Sequence, residues 1–161
     1  MDIAIIMGSD SDFEVMKKAV ETLKDFEAKF EITVASAHRT PQKVQDFVKN
    51  SDAKVFIAAA GMAAHLAGVV ASFTTKPVIG VPLSSEPFKG WDALLSTVQM
   101  PPGIPVATMA VGGAKNAALF ALEILAVGDE NFAKKLSDFR KKISAEVESK
   151  SDKIQKLCAE M

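Results

Sequence analysis

The chain has 161 residues but only one cysteine, Cys158, no tyrosine and one tryptophan. A lone thiol cannot form an internal disulfide, and this one belongs to no CxxC or Cys/His cluster. The sequence therefore excludes a disulfide-stapled secreted domain and a cysteine-based metal site. The first residues also lack the basic stretch and the cleavage site of a signal peptide. A reducing cytoplasm is the simplest compartment to expect.

Excess charge of either sign is also missing. The formal net charge is -1 and no basic stripe is present, which excludes the electrostatic footprint of a nucleic-acid-binding protein. A content of 48% hydrophobic residues excludes an intrinsically disordered chain as well. Charged residues are scarce in residues 54–128 and frequent on both sides of that segment. The middle of the chain is therefore too apolar to be a free surface.

An uncharged run, residues 55–75, is nominally long enough to span a bilayer. It carries Gly61, His65 and Gly68, however, and its pattern changes from strand-like to helix-like. We interpret it as a strand, a loop and a buried helix rather than as a membrane segment.

Five short apolar runs recur along the chain, separated by segments with helical periodicity. The runs are residues 3–7, 32–35, 55–60, 78–81 and 106–111. In the first helical segment Phe13, Met16, Val20 and Leu23 share one face, while lysines occupy the other. Strands that alternate with helices predict a parallel sheet, and near-continuous apolar strands indicate that helices cover both faces. We therefore predict one α/β domain, residues 1–161, with a five-stranded, doubly wound, three-layer sheet.

Helix start signals agree with this order. Ser11 and Glu14 have the spacing of a capping box before the first helix, and Thr40 and Pro41 supply an N-cap and a first-turn proline for the second. After a helix at 116–126, residues 129–161 combine high charge with a heptad-like apolar series, which predicts a long C-terminal amphipathic helix. This helix is too long to cover a small sheet. We expect its far end to pack on a neighbouring subunit, outside the sheet core of residues 1–128.

In an open α/β sheet, the ligand lies beyond the carboxyl ends of the strands, where the strand order reverses. Three loops follow predicted strands there: residues 8–12, 36–41 and 60–65. In the first, Gly8, Ser9 and a free helix N-terminus suit a phosphate, and Asp12 can accept hydrogen bonds from sugar hydroxyls. Ser11 and Asp12 could equally do no more than cap the helix, and the residues alone leave both interpretations open.

Both histidines of the chain fall in these loops. His38 precedes Arg39 near a helix N-terminus, where a cation is repelled unless an anion is present, so the pair favours a phosphate ligand. An imidazole can also give and take a proton near neutral pH. The alternative is a backbone-bonded loop histidine beside a solvated arginine. We place His65 one turn into an alanine-rich helix, where a packed core or interface residue is the favoured interpretation.

Other kinds of site are poorly supported. Two widely separated histidines without HxH or HExxH spacing do not predict a metal site. The absence of GxGxxG and GxSxG motifs argues against dinucleotide binding and serine-hydrolase chemistry. Trp91 follows Gly90 in the loop after the fourth strand, where it could be a lid or a packing anchor.

Four segments, taken in order, closely resemble one known family. They are MGSDSD at residues 7–12, SAHRTP at 36–41, AGMAAHL at 60–66 and VQMPPGIPVAT at 98–108. Together they extend over most of the chain. They resemble the 5-(carboxyamino)imidazole ribonucleotide mutases of purine biosynthesis.

The resemblance implies a flavodoxin-like domain, a homo-octamer and the interconversion of 5-(carboxyamino)imidazole ribonucleotide with 4-carboxy-5-aminoimidazole ribonucleotide, without metal, ATP or biotin. It implies that His38 carries the proton, that Arg39 binds the phosphate, and that His65 acts less directly. The resemblance also implies a set of substrate-binding residues, namely Gly8, Ser9, Asp12, Ser36, Arg39, Ala60 and Gly61. A small apolar enclosure at residues 58–64 would hold the carbon dioxide that this chemistry releases.

The chain departs from the family pattern AGGAAHLPG at two positions, with Met62 in place of the second glycine and Ala67 in place of the proline. A related branch carboxylates aminoimidazole ribonucleotide directly with carbon dioxide, and typically has SAHKT and no AAHL histidine. Arg39 and His65 therefore favour the mutase over this near alternative.

A non-enzymatic flavodoxin-like binder or a phosphoacceptor receiver is the alternative from a different class. A receiver needs an aspartate at the end of the third strand, where this chain has Ala60. A flavin binder would usually offer aromatic residues beside the ring.

Overall fold

The predicted alternation of strands and helices runs through residues 1–161, all of which the computed structural model describes. The strands are β1 (Ile3–Met7), β2 (Phe30–Val34), β3 (Val55–Gly61), β4 (Val78–Leu83) and β5 (Ala107–Thr108). The helices are α1 (Phe13–Asp25), α2 (Pro41–Asn50), α3 (Leu66–Ser72), α4 (Trp91–Val98), α5 (Ala114–Ala126) and α6 (Glu130–Ala159). All neighbouring strands pair in parallel, in the order β2-β1-β3-β4-β5. The predicted five-stranded, doubly wound sheet is confirmed.

The apolar strands are buried on both faces of the sheet. In β1, Ile3 and Ile5 pack with α1, α5 and α6, whereas Ala4 and Ile6 pack with α2 and α3, and all four are fully buried. Successive side chains of a strand point to opposite faces, so a strand that helices cover on both sides is apolar throughout. Removing each isoleucine from water stabilises the fold by roughly 1.5–3 kcal/mol.

Only β1 keeps its predicted bounds: β3 and β4 extend one and two residues beyond theirs, and β2 and β5 differ as follows. β2 begins at residue 30 rather than 32, and β5 covers only two residues of the predicted run 106–111. Pro82 in β4 explains why the edge strand β5 is short. Its carbonyl accepts from the Gly112 N–H, but its nitrogen has no hydrogen to donate, so the ladder of hydrogen bonds to β5 is interrupted there. The Met109 N–H still reaches the Gly80 carbonyl at 2.9 Å, so the chain follows β4 without a continuous ladder.

The predicted start of α1 is wrong, and that of α2 is confirmed. The capping box before α1 is Ser9 and Asp12, which flank a short 3₁₀ turn at Asp10–Asp12. Asp12 is two residues closer to the loop than Glu14, and its Oδ2 accepts the Ser9 N–H at 2.9 Å. α2 begins at Pro41 with Thr40 as its N-cap, as predicted.

The long C-terminal helix is confirmed, and its far end is exposed to solvent. Asp129 caps it by accepting from the Asn131 and Phe132 N–H groups. Phe132 and Leu136 are buried against α1 and α5, but every residue from 140 to 161 is exposed. Apolar residues of this overhang, such as Val147 at 66% exposure, therefore face water within one subunit.

The uncharged run at residues 55–75 forms β3, a loop and α3, as predicted. None of the helices is both long and apolar enough to span a membrane.

Candidate active site

Three loops meet in one cavity at the carboxyl edge of the sheet. They follow β1, β2 and β3, and because β1 lies between the other two, the strand order reverses beside it. The cavity has a volume of about 750 Å³. Every residue that the sequence proposes for the site lines it: Gly8, Ser9, Asp12, Ser36, His38, Arg39, Ala60, Gly61 and His65.

The two histidines form a hydrogen-bonded pair inside this cavity. His38 Nε2 and His65 Nδ1 are 2.8 Å apart, and the ring planes are inclined by 74°. One of the two nitrogens must donate and the other accept, so the pair can take up one additional proton but not two. His65 precedes α3 and is exposed, which makes its interpretation as a packed core histidine within a helix wrong.

A tight turn after β2 orients His38 and Arg39. Thr40 Oγ1 accepts the Ser36 N–H at 2.9 Å and donates to the Ser36 carbonyl at 3.2 Å. The Ser36 hydroxyl in turn accepts the Arg39 N–H at 3.2 Å. Because these local hydrogen bonds hold both ends of the turn, they fix the backbone from which the His38 and Arg39 side chains extend.

Arg39 has unused hydrogen-bonding capacity in the cavity. Its Nη2 donates to the Gly8 carbonyl at 3.2 Å, and it takes part in none of the five ion pairs of the chain. A guanidinium has five N–H donors in a fork that matches a phosphate or a carboxylate. Ser9 and Ser11 also line the cavity, where the Ser11 hydroxyl donates to the Ser9 hydroxyl at 2.9 Å and the Ser9 hydroxyl donates to Asp10 Oδ1 at 3.1 Å.

Asp12 belongs to the capping box of the 3₁₀ turn before α1, and it also lines the cavity. Burial raises the pKa of its carboxyl above the usual value, and hydrogen bonds from the Ser9 and Gly8 backbone oppose that shift. A half-buried carboxylate with accepting capacity beside an arginine suits a ligand that presents hydroxyl groups next to an anionic group.

The apolar enclosure is smaller than predicted. Of residues 58–64, only Ala60, Gly61, Met62 and Ala63 reach the cavity. Ala58 and Ala59 belong to the two cores on opposite faces of the sheet, and residue 64 is also buried, at 2% exposure.

Several cavity residues were missed by the sequence analysis. The missed set is Val15, Leu66, Leu83, Ser84 and Ser85, which lie outside the three predicted loops. Residues 83–85 end β4 and follow it, so the rule that located the other three loops also applies to them. The Ser85 hydroxyl is buried and has no hydrogen-bond partner.

Trp91 does not line the cavity, and it is 68% exposed at the first turn of α4. It is therefore neither a lid over this cavity nor a packing anchor within the subunit.

A larger groove of about 920 Å³ lies between α1, α5 and α6. Its charged residues mostly face solvent, and two of them, Lys135 and Glu27, pair with each other at 2.6 Å. It contains neither histidine nor arginine and lies on a face of the sheet rather than at the strand ends, so we assign the chemistry to the smaller cavity. No three His, Cys, Asp or Glu side chains cluster anywhere in the chain in a way that could hold a metal ion.

The fold and the site define a doubly wound α/β protein whose switch-point cavity combines a histidine pair with an unpaired arginine. The family model described as AIR carboxylase matches residues 2–146. The chain belongs to this AIR carboxylase family.

Individual relatives agree with that assignment. A Methanocaldococcus jannaschii protein named N5-carboxyaminoimidazole ribonucleotide mutase is 58% identical over 155 residues, which are 96% of this chain and 98% of that protein. A Thermotoga maritima protein of the same name is 46% identical over 96% of this chain and 92% of that protein. The crystal structure of Treponema denticola PurE superposes with a TM-score of 0.86 at 31% identity, covering 94% of this chain and 96% of that one.

Proposed function

We propose that this chain catalyses the reversible conversion of 5-(carboxyamino)imidazole ribonucleotide to 4-carboxy-5-aminoimidazole ribonucleotide in purine biosynthesis. The observation that carries the proposal is the hydrogen-bonded pair of His38 and His65 beside an unpaired Arg39. It is supported by 58% identity to a relative named for this mutase activity.

In the proposed complex, the ribonucleotide lies across the switch point. Arg39, the Ser9 hydroxyl and the Gly8 loop bind the phosphate, which places an anion beside a cation and near a helix N-terminus. Asp12 accepts hydrogen bonds from the ribose hydroxyls. Ser36 and the backbone of Ala60 and Gly61 line the position of the ring. The phosphate contacts lie away from the reacting atoms, so their binding energy serves to orient the ring.

The reaction needs one proton to be given and one to be taken back. His38 protonates the carbamate nitrogen, the N–C bond breaks, and carbon dioxide leaves the electron-rich aminoimidazole. Carbon 4 of the ring then attacks the carbon dioxide, and the proton on carbon 4 returns to the imidazole. Atoms and electrons balance within the substrate, so the overall step is an isomerisation that requires no metal, ATP or biotin.

His65 serves this cycle by holding the His38 ring. The pair shares one hydrogen bond and accommodates one additional proton, which matches the single proton that the reaction moves. The histidine pair therefore has the same number of protons at the end of each turnover as at the start.

We also propose that the chain acts as a homo-oligomer, specifically an octamer, in a reducing cytoplasm. Two apolar surfaces without partners in one subunit support this: the overhang of α6, and a stripe of Trp91, Leu95 and Val98 along α4, exposed by 68%, 53% and 49%. Contiguous apolar surface of this kind typically marks an interface. Light scattering on the purified chain should give a mass near eight subunits, and a monomer mass would contradict the proposal.

The decisive test of the activity supplies one of two substrates without ATP. One reaction contains the carbamate nucleotide, and the other contains aminoimidazole ribonucleotide with bicarbonate. We expect efficient conversion of the carbamate only. Efficient conversion of aminoimidazole ribonucleotide instead would identify the direct carboxylase, and conversion of neither would leave a non-enzymatic ligand-binding module, for which flavin absorbance of the purified protein is the first check.

A further inference from the structure

Met62 has a backbone conformation that favours glycine. It directly follows the last residue of β3, and its φ of 56° lies in the left-handed region. Glycine adopts this conformation without strain, because it has no Cβ. The chain therefore retains a side chain at a position where the backbone would be more relaxed without one.

Helix termination does not account for Met62. The comparison is Glu27, which also has positive φ but ends α1: its N–H donates to the Lys24 carbonyl at 2.9 Å, and the next N–H donates to Leu23 at 3.0 Å. Met62 ends no helix, and it precedes α3 by several residues. Helix capping therefore does not explain the left-handed conformation of Met62.

Packing within the subunit does not account for the side chain either, since Met62 is 65% exposed there. Among the apolar residues that line the cavity, Leu66 and Leu83 are buried at 2% and 3% exposure and Val15 is half-buried. The others are alanines. Met62 is therefore the one long, exposed apolar side chain that lines the cavity.

The proposed reaction requires that carbon dioxide be retained in the cavity, and an exposed apolar side chain can do this. Carbon dioxide is small and uncharged, and between bond cleavage and recapture nothing holds it covalently. Loss to solvent competes with attack by carbon 4, so turnover depends on keeping the two reactants together. An unbranched thioether with three rotatable bonds can adapt its shape to cover an irregular apolar gap.

We propose that the Met62 side chain covers the carbon dioxide in the cavity and retains it until carbon 4 attacks. This inference rests on the proposed mutase function and deepens it. In this role Met62 favours transfer of the carboxyl group within one substrate over its release to solvent. Met62 is also the residue that replaces the second glycine of the family pattern.

The test measures retention of the transferred carbon. The C-carboxylated nucleotide, labelled with ¹³C in its carboxyl group, is incubated with enzyme in unlabelled bicarbonate and carbonic anhydrase, which exchanges any released carbon dioxide with the bulk. Mass spectrometry at low conversion gives the label remaining in the nucleotide pool and the amount of aminoimidazole ribonucleotide formed. Reactions without enzyme correct for spontaneous decarboxylation.

Met62→Ala keeps the Cβ and the positive φ but removes the thioether. We expect it to raise label loss and aminoimidazole ribonucleotide formation per turnover by at least about threefold, while KM for the nucleotide stays within about twofold. Met62→Leu restores an apolar side chain of similar volume and should return label loss to near the wild-type value. Glu27→Ala makes the same truncation at a left-handed residue outside the cavity, and it should not change label retention.

The outcomes separate the two proposals. Wild-type protein that converts neither nucleotide would contradict the mutase function itself. Wild-type protein that converts the nucleotides with the same label loss as Met62→Ala would overturn the role of Met62 and leave the mutase function intact. Equal label loss in Met62→Leu and Met62→Ala would also overturn it, because an apolar cover should be replaceable by leucine.

Discussion

His38 Nε2 and His65 Nδ1 lie 2.8 Å apart, and this hydrogen bond connects the loop after β2 with the loop after β3. The two loops lie on opposite sides of β1, so the pair bridges the switch point of the sheet. In a neutral pair, one ring donates and the other accepts, and a third proton can be added without placing two N–H groups against each other. This capacity for one mobile proton underlies the first two predictions.

Replacement of His38 should remove the proton carrier and leave the binding surface in place. We expect His38→Asn to lower kcat by at least about a hundredfold, because general acid and base catalysis contributes about that much or more. KM should stay within about tenfold, since the phosphate contacts are unaffected. Steady-state kinetics on the carbamate nucleotide measure both, and near-normal kcat would refute the role of His38.

His65 is predicted to position His38 rather than to act on the substrate. His65→Phe keeps a planar ring without a hydrogen bond and should reduce kcat by about tenfold or more with little change in KM. His65→Gln retains a side chain that can donate or accept and should recover part of the loss. If the two variants have equal kcat and both lose thermal stability, a merely structural role would explain the data instead.

Arg39 is predicted to anchor the phosphate. Removing a charged hydrogen-bond donor costs about 1.5–3 kcal/mol, so Arg39→Ala should raise KM by roughly 10- to 100-fold and affect kcat less. The other arginine of the chain is the control: Arg140 on α6 pairs with Glu123 at 2.7 Å, and Arg140→Ala should leave KM unchanged. A KM for Arg39→Ala equal to that of the control would place the phosphate elsewhere.

Asp12 should make folding stability depend on pH. Burial raises its pKa in the folded state above 3.8, so its contribution to stability is fully present below that pH and is lost as the pH rises through the raised pKa. The Asn side chain of Asp12→Asn is uncharged at every pH, so the variant does not lose this stability as the pH rises. We therefore expect the Tm difference between Asp12→Asn and wild type to grow in favour of the variant from below pH 3.8 to pH 7.

Glu27 provides a comparison of opposite sign. A hydrogen bond and the charge of Lys135 lower the pKa of its carboxyl, so its stabilising contribution is present above the ordinary value of 4.5 and is lost as the pH falls through the lowered pKa. Glu27→Gln should be less stable than wild type at neutral pH and equal to it in acid. Thermal scans in which both variants show the same pH trend would contradict the assignment for Asp12.

Much of the fold follows from local patterns. The apolar run at residues 3–7 predicts β1 with its observed bounds, and the pair Thr40 and Pro41 predicts the start of α2. Both signals depend on side chains close in sequence. The start of α1 and the length of β5 could not be predicted as well, because Asp12 competes with Glu14 as the partner in the capping box and because the missing N–H of Pro82 acts across strands.

The sequence by itself determined the strand and helix order, the three loops at the carboxyl edge and the residue types in them, because hydrophobic periodicity and residue chemistry are local properties. Only the tertiary structure decided that His65 faces His38 instead of the core, that Arg39 is free of ion pairs, and that Met62 lines the cavity in a left-handed conformation. The physical reason is that these are relations between loops distant in sequence. They depend on the parallel register that places the ends of β1, β2 and β3 side by side.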